Sequence, residues 1–305
     1  MTLTRRHVVG GALAAGALAA LPKSARAQAD DSTFRTMPST GQRIPAVGLG
    51  TWITFNVGRD PVLLERSTEV MRAFFAAGGG VIDSSPMYGS SQATVGHGLE
   101  ALGSPGPLTA TDKVWTGSAA EGPAQIEASR RQWGVPHFDI LQVHNLVAWE
   151  AHLETLFEMK ARGELTHVGV TTSHGRRHEE VERIMESRPI DVVQLTYNPL
   201  DRDPEERLLP LAREKGIAVV VNRPFRQGAL VDRVRGAPLP AVADAVGARS
   251  WPQLLLSFIL SHPAITVAIP ATTNPDHMRE NKEAAMLPLA DAATRRRIAE
   301  AVAAL

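Results

Sequence analysis

Short apolar runs alternate with helix-length amphipathic stretches along most of the chain, and this alternation restricts the fold more than any other feature. Runs of strand character end at Trp52, Ser85, Lys113, His144, Thr172, Tyr197, Asn222 and Ala271, and the first seven ends fall 25 to 33 residues apart. That is the length of one strand with its helix and turns. The runs are apolar on both faces, as parallel strands must be when helices cover them. Between them, Asp60-Pro61 reads as a helix start, with an acid at the cap and proline in the first turn. Leu63, Ser67, Val70, Met71 and Phe74 then recur at helical spacing until Gly78 to Gly80 end the segment. Further helices are predicted over 123–132, 151–162, 177–187, 203–216 and 251–261, with Pro210 expected to kink the fourth of these. Two more helical stretches fill the tail. Eight strand-helix units in about 275 residues predict a single-domain α/β fold, a (β/α)8 TIM barrel, entered through a short N-terminal β-hairpin that turns at Ser39, Thr40 and Gly41.

A barrel of this kind does its chemistry at the carboxyl ends of the strands. Asp83, Lys113, His144, Thr172, Gln194 and Asn222 all fall at such ends. Singly, each has an ordinary structural explanation: a helix cap, a solvated strand end, a core histidine. Together they predict one polar mouth. The stretch VIDSSPMYG at 81–89 stands at its centre, with Asp83 closing a buried strand and Tyr88 on the following turn. A phenol near pKa 10 is a poor acid at neutral pH, so it needs a neighbouring cation or a burial effect to serve in proton chemistry.

Composition narrows the classes of function. The chain of 305 residues has 32 basic and 32 acidic side chains, and no basic run interleaved with aromatics beyond its N-terminus, so no nucleic-acid partner is expected. Cysteine is absent, which removes disulfides, thiolate metal sites and a cysteine nucleophile. His174 and His178 have helical metal-ligand spacing, but two arginines separate them and no third ligand is near, so no metal is expected.

Residues 1–29 read as an export signal. Arg5 and Arg6 precede a weakly apolar, glycine-containing run over 8–21, followed by A-x-A triplets at 25–27 and 27–29. This is the layout of a twin-arginine signal peptide, and at about 14 residues the run is short for a membrane span. Such a signal implies passage through the twin-arginine machinery, release of the folded domain at 30–305 into the periplasm, and no stable membrane insertion after processing. Arg5, Arg6, Lys23 and Arg26 leave with the signal and no acid does, which takes the 32 basic residues to 28 against 32 acidic.

Motifs from about residue 42 to about residue 285 resemble the aldo-keto reductases. The family's GxGTW opening is Gly48-Leu49-Gly50-Thr51-Trp52, and its D-x-A-x-x-Y-G segment is Asp83 to Gly89, with Ser85 where alanine is usual. Its T-K-V/L-W segment is Asp112-Lys113-Val114-Trp115, and its strand ending in a catalytic histidine is LQVHN, with His144. The resemblance implies a catalytic tetrad of Asp83, Tyr88, Lys113 and His144. Lys113 would stabilise the Tyr88 phenolate and lower the phenol's pKa, and Asp83 would hold the lysine charged. His144 would offer an N–H to the carbonyl oxygen. A small carbonyl substrate would lie against Trp52, Tyr88, Trp115 and His144, in a chain expected to be monomeric.

The same resemblance implies a nicotinamide cofactor, NADP(H) favoured and NAD(H) possible, held by Gly50, Thr51, Trp52, Thr171, Thr172, Gln194, Asn222, Phe225, Thr272, Arg279 and Asn281. Gln194 matches the carboxamide contact and Asn281 the adenine contact. Thr171-Thr172 replaces the family's serine-asparagine pair, and Asn222 replaces a stacking aromatic. Ala271 and His277 replace the lysine and arginine that meet the 2′-phosphate, leaving Arg279 as the nearest basic substitute. Arg223 or Arg226 is a candidate for a cofactor phosphate, and the Arg-, Gly- and Pro-rich stretch 225–240 reads as a loop and potential lid. These departures leave one alternative to an enzyme, a nicotinamide-binding regulatory or scaffold barrel with little turnover.

Overall fold

The computed structural model describes residues 33–103 and 105–305; the export signal read at 1–29 lies outside the described residues. Strands β1 (Phe34–Thr36) and β2 (Arg43–Pro45) form the antiparallel hairpin expected from the sequence. Then come β3 (Leu49–Gly50), β4 (Gly80–Asp83), β5 (Leu108–Val114), β6 (Phe138–His144), β7 (Leu165–Thr171), β8 (Val192–Thr196), β9 (Ala218–Asn222) and β10 (Ile265–Ala268). Among the described residues these are eight parallel strands in sequential order, curled into the predicted barrel. The seam between first and last strands is joined by a parallel bridge between Val47 and Ala268, with Gly48 and Gly50 donating to the carbonyls of Ala268 and Pro270 at 2.8 and 3.0 Å. That approach accounts for the glycines of the GLGTW run: a Cβ on Gly50 would stand 2.7 Å from the Ile269 oxygen, inside van der Waals contact.

Helices α1 (Pro61–Ala76), α2 (Ser91–Leu102), α3 (Gly122–Trp133), α4 (Trp149–Ala161), α5 (His178–Ser187), α6 (Leu208–Lys215), α7 (Ala229–Arg233), α8 (Trp251–Leu260), α9 (Pro275–Glu283) and α10 (Ala292–Ala303) accompany the strands. Helix α1 begins as read: Asp60 Oδ1 accepts from the amides of Val62 and Leu63 at 2.9 and 3.0 Å. Inside the barrel, Val81, Ile140, Val192, Val220 and Val267 pack together with Met37 and Ile44 of the hairpin, which plugs the floor. The outward residues of the same strands join the larger core under the helices.

Two local expectations change. The stretch 203–216 is not one helix kinked at Pro210. It is a 3-10 turn at Asp203–Glu205 followed by α6, and Pro210 lies in the first turn of α6, where its missing N–H has no intrahelical partner to lose. The stretch 225–240, expected as loop, contains a 3-10 turn at Arg226–Gly228 and the short α7. Helix α2 shows little periodicity because glycines replace two of its contact residues. A Cβ on Gly96 would lie 2.0 Å from the Gln132 oxygen of α3, and one on Gly98 would lie 2.4 Å from the Met71 sulfur of α1.

Candidate active site

Side chains alternate along a strand, so at any one level every second residue points into the barrel. The alternation that puts Val81, Ile140, Val192 and Val220 in the interior also turns Asp83, His144, Gln194 and Asn222 inward at the carboxyl ends. These four line a cavity of about 550 Å³ together with Tyr88 and Thr171. A larger hollow of about 850 Å³ between α2 and α3 holds none of the strand-end polar groups, and the chemistry lies elsewhere.

Under the cavity, Lys113 is fully buried and Asp83 nearly so. Lys113 Nζ lies 2.7 Å from each Asp83 carboxylate oxygen and 2.7 Å from the Ser84 carbonyl, so its three hydrogens each have a partner. Burial works against the ammonium charge, but Asp83 and then Tyr88 outweigh it and hold the lysine pKa above its ordinary value. Asp83 also accepts from Gln194 Nε2 at 2.9 Å, and Gln194 Oε1 accepts from Thr171 Oγ1 at 3.2 Å. This leaves Gln194 one amide hydrogen and one lone pair for a further partner.

Tyr88 closes a 3-10 turn, Pro86–Tyr88, whose cap is Ser85. Ser91 ties the turn down, its hydroxyl lying 2.9 Å from the Tyr88 carbonyl and 3.2 Å from that of Thr51. The Tyr88 ring stands between Lys113, whose Nζ is 5.1 Å from the ring centroid, and His144, which meets it edge-on at 5.5 Å. Burial pushes the phenol up to about 12, countered by the Lys113 charge and reinforced by that of Asp83. The expected lowering by Lys113 therefore operates but does not prevail over burial. Burial, with Lys113 nearby, depresses the His144 imidazole to about 2, so it is neutral throughout any working pH range.

The remaining assignments divide. Gly50, Thr51, Trp52, Asn222, Phe225, Thr272 and Asn281 line the cavity. Thr172 does not: β7 ends one residue earlier than read, Thr171 takes the inward position, and the Thr172 hydroxyl bonds the Arg176 carbonyl. Trp115 also lies outside the cavity lining, 41% exposed, with its amide bonded to Gln125. Arg279 is turned away as well, its guanidinium 2.5 Å from Asp276, whereas Ala271, His277 and Glu280 face the cavity at that end. Arg226 is engaged by both Asp201 oxygens. Arg223 instead lines the cavity with its Nε and Nη1 buried and without partners among the described residues. Sequence reading assigned no role to Ser85, whose hydroxyl lies 2.7 Å from His144 Nδ1; its only signal was the departure from alanine.

The family model described as "Aldo/keto reductase family" matches residues 46–301. An NADH-specific methylglyoxal reductase of Escherichia coli is 25% identical to the chain, covering 87% of it and 97% of the bacterial protein. An uncharacterized oxidoreductase of Schizosaccharomyces pombe is 30% identical over 54% of the chain, a match that spans about half, 53%, of the yeast protein. Among solved structures, the holo form of an aldo-keto reductase from Bacillus halodurans superposes with a TM-score of 0.72 at 20% identity, covering 88% of this chain and 96% of that one.

Proposed function

The chain belongs to the aldo/keto reductase family, and from that premise we propose that it reduces aldehyde or ketone carbonyls to alcohols with NAD(P)H, or runs the reverse oxidation, through Tyr88, Lys113, Asp83 and His144. The observation that carries this reading is the meeting of a phenol and a neutral imidazole on one cavity, above a lysine held charged by a buried carboxylate. When bound, the reduced nicotinamide supplies hydride to the carbonyl carbon. Tyr88 gives its proton to the carbonyl oxygen, and Lys113 stabilises the phenolate that remains. His144 cannot be that proton donor, because a ring depressed to about 2 carries no extra proton at neutral pH. It acts as a hydrogen-bond donor to the same oxygen.

The residues present fit the cofactor. Gln194 retains a donor and an acceptor for a carboxamide, Asn281 lines the far end, and the two unpartnered donors of Arg223 suit a phosphate. The chain accepts NADP(H), favoured by family membership, and NAD(H), the cofactor named for the Escherichia coli relative. Arg223 would hold the phosphates common to both forms. Arg223→Ala is therefore expected to weaken NADPH and NADH alike, by about tenfold each, with their ratio unchanged. Fluorescence titrations of wild type and variant with both cofactors check this, and selective loss of NADPH would instead place Arg223 at the 2′-phosphate. Following the same titrations with a panel of aldehydes, ketones and quinones separates enzyme from regulatory barrel: tight binding without turnover of any compound would favour the latter.

Export is proposed on the sequence of residues 1–29, whose paired arginines and A-x-A triplets support a twin-arginine signal and a periplasmic mature protein. Replacing Arg5 and Arg6 together by lysine is expected to abolish export and leave the folded chain in the cytoplasm. Cell fractionation reads the outcome, and undiminished periplasmic protein would refute the assignment.

A further inference from the structure

Ser85 stands where the resemblance leads one to expect alanine, and its hydroxyl has two protein contacts. It lies 2.7 Å from His144 Nδ1 and accepts from the Met87 amide at 3.2 Å. Ser85 is fully buried and His144 almost so, which makes the direction of the hydrogen bond between them decidable from the donor inventory. A serine hydroxyl has one hydrogen and two lone pairs. One lone pair receives the Met87 amide. If His144 Nδ1 also donated to the oxygen, the hydroxyl hydrogen would be left without an acceptor in a buried site, which is costly because the lost hydration is not replaced. If the hydroxyl donates to Nδ1, every buried group is satisfied. The neutral imidazole then carries its own hydrogen on Nε2, which has no hydrogen bond to any described residue while the ring lines the cavity beside Tyr88.

We propose that Ser85 is a positioning residue that fixes His144 as its Nε2–H tautomer and holds that N–H toward the cavity. The catalytic consequence rests on the function proposed above: a carbonyl oxygen placed between Tyr88 and His144 needs a hydrogen-bond donor from the ring, and the opposite tautomer would present a lone pair to it. Alanine at this position leaves tautomer and ring orientation to weaker forces. The asymmetric use of the two nitrogens follows the general rule that the partner of one ring nitrogen sets the state of the other.

Histidine-selective 15N NMR of the full chain, free of cofactor, tests the tautomer directly. Expected are a bare Nδ1 and a protonated Nε2 for His144 in the wild type, with a redistributed pair of signals in Ser85→Ala. The same substitution is expected to lower kcat for carbonyl reduction about tenfold, with NADPH and NADH affinities unchanged. A wild-type Nδ1–H tautomer overturns the proposal whether or not the variant folds. So does an S85A protein whose His144 signals or kcat match the wild type. The correct tautomer in a wild-type protein that turns over no carbonyl would overturn the catalytic role and trace the failure to the proposed function rather than to the Ser85–His144 bond.

Discussion

Tyr88→Phe is expected to lower kcat for carbonyl reduction by about 10³-fold, within the range that a positioned general acid contributes. The substitution removes one oxygen and keeps the ring that meets His144 edge-on, so cofactor affinity and stability should change little. Neither His144 nor Lys113 can take over. His144 is neutral, and Lys113 directs its three hydrogens to Asp83 and the Ser84 carbonyl. The pH dependence follows from the same environment. With the phenol pushed up to about 12, Tyr88 keeps its proton through the neutral and mildly alkaline range, so reduction loses its acid only as pH approaches that value. Oxidation needs the ionised phenol and should rise with pH over that range. Steady-state kinetics in both directions measure these trends, and a variant within a few-fold of wild type would remove Tyr88 as the proton donor.

Lys113→Met should be the most destabilising single change at the site, by about 3–5 kcal/mol, because it leaves the Asp83 carboxylate buried without its cation. Lys113 is fully buried and Asp83 2% exposed, so little solvent can compensate. The pair is better replaced whole than halved. Asp83→Asn combined with Lys113→Met should recover most of the lost stability while carbonyl reduction stays abolished. The sign with pH is fixed by the raised lysine pKa, where burial opposes but Asp83 and Tyr88 prevail. The contribution is fully present below the ordinary lysine pKa and disappears as pH climbs beyond the folded-state value. Urea unfolding of the three proteins decides the matter: a K113M protein within about 1 kcal/mol of wild type, or a double variant no more stable than K113M, would contradict an uncompensated buried charge.

Much of this was legible because a barrel converts local periodicity directly into position. Strand and helix alternation specified eight parallel strands, and the strand ends named Asp83, Lys113, His144, Gln194 and Asn222 before any contact was known. Where reading failed, the cause was of two kinds. Thr172 was named in the row of inward strand ends because the end of β7 was read one residue late, and a one-residue shift on a strand reverses the face. Helix α2 and the segment 225–240 were missed or simplified because glycines and left-handed residues such as Arg223, Arg226 and Gln227 weaken the periodic signal.

What sequence could not supply were the choices among identical functional groups. Seven arginines scattered between 202 and 235, with Arg223 among them, look alike in one dimension. Only the folded chain pairs Arg202, Arg226 and Arg235 with Glu205, Asp201 and Asp232 and leaves Arg223, at the cavity lining, with two buried donors unpartnered among the described residues. Trp115 follows the motif but misses the pocket, since a side chain beyond the last strand residue is placed by its turn rather than by the barrel. Ser85 lies two residues beyond Asp83 and 59 positions before the histidine it contacts. By itself, then, the sequence determined the barrel and the four groups at its carboxyl end, because periods of about 2 and about 3.6 residues are local properties. The tertiary structure decided their protonation and the direction of their hydrogen bonds. Those depend on burial and on partners that are distant along the chain.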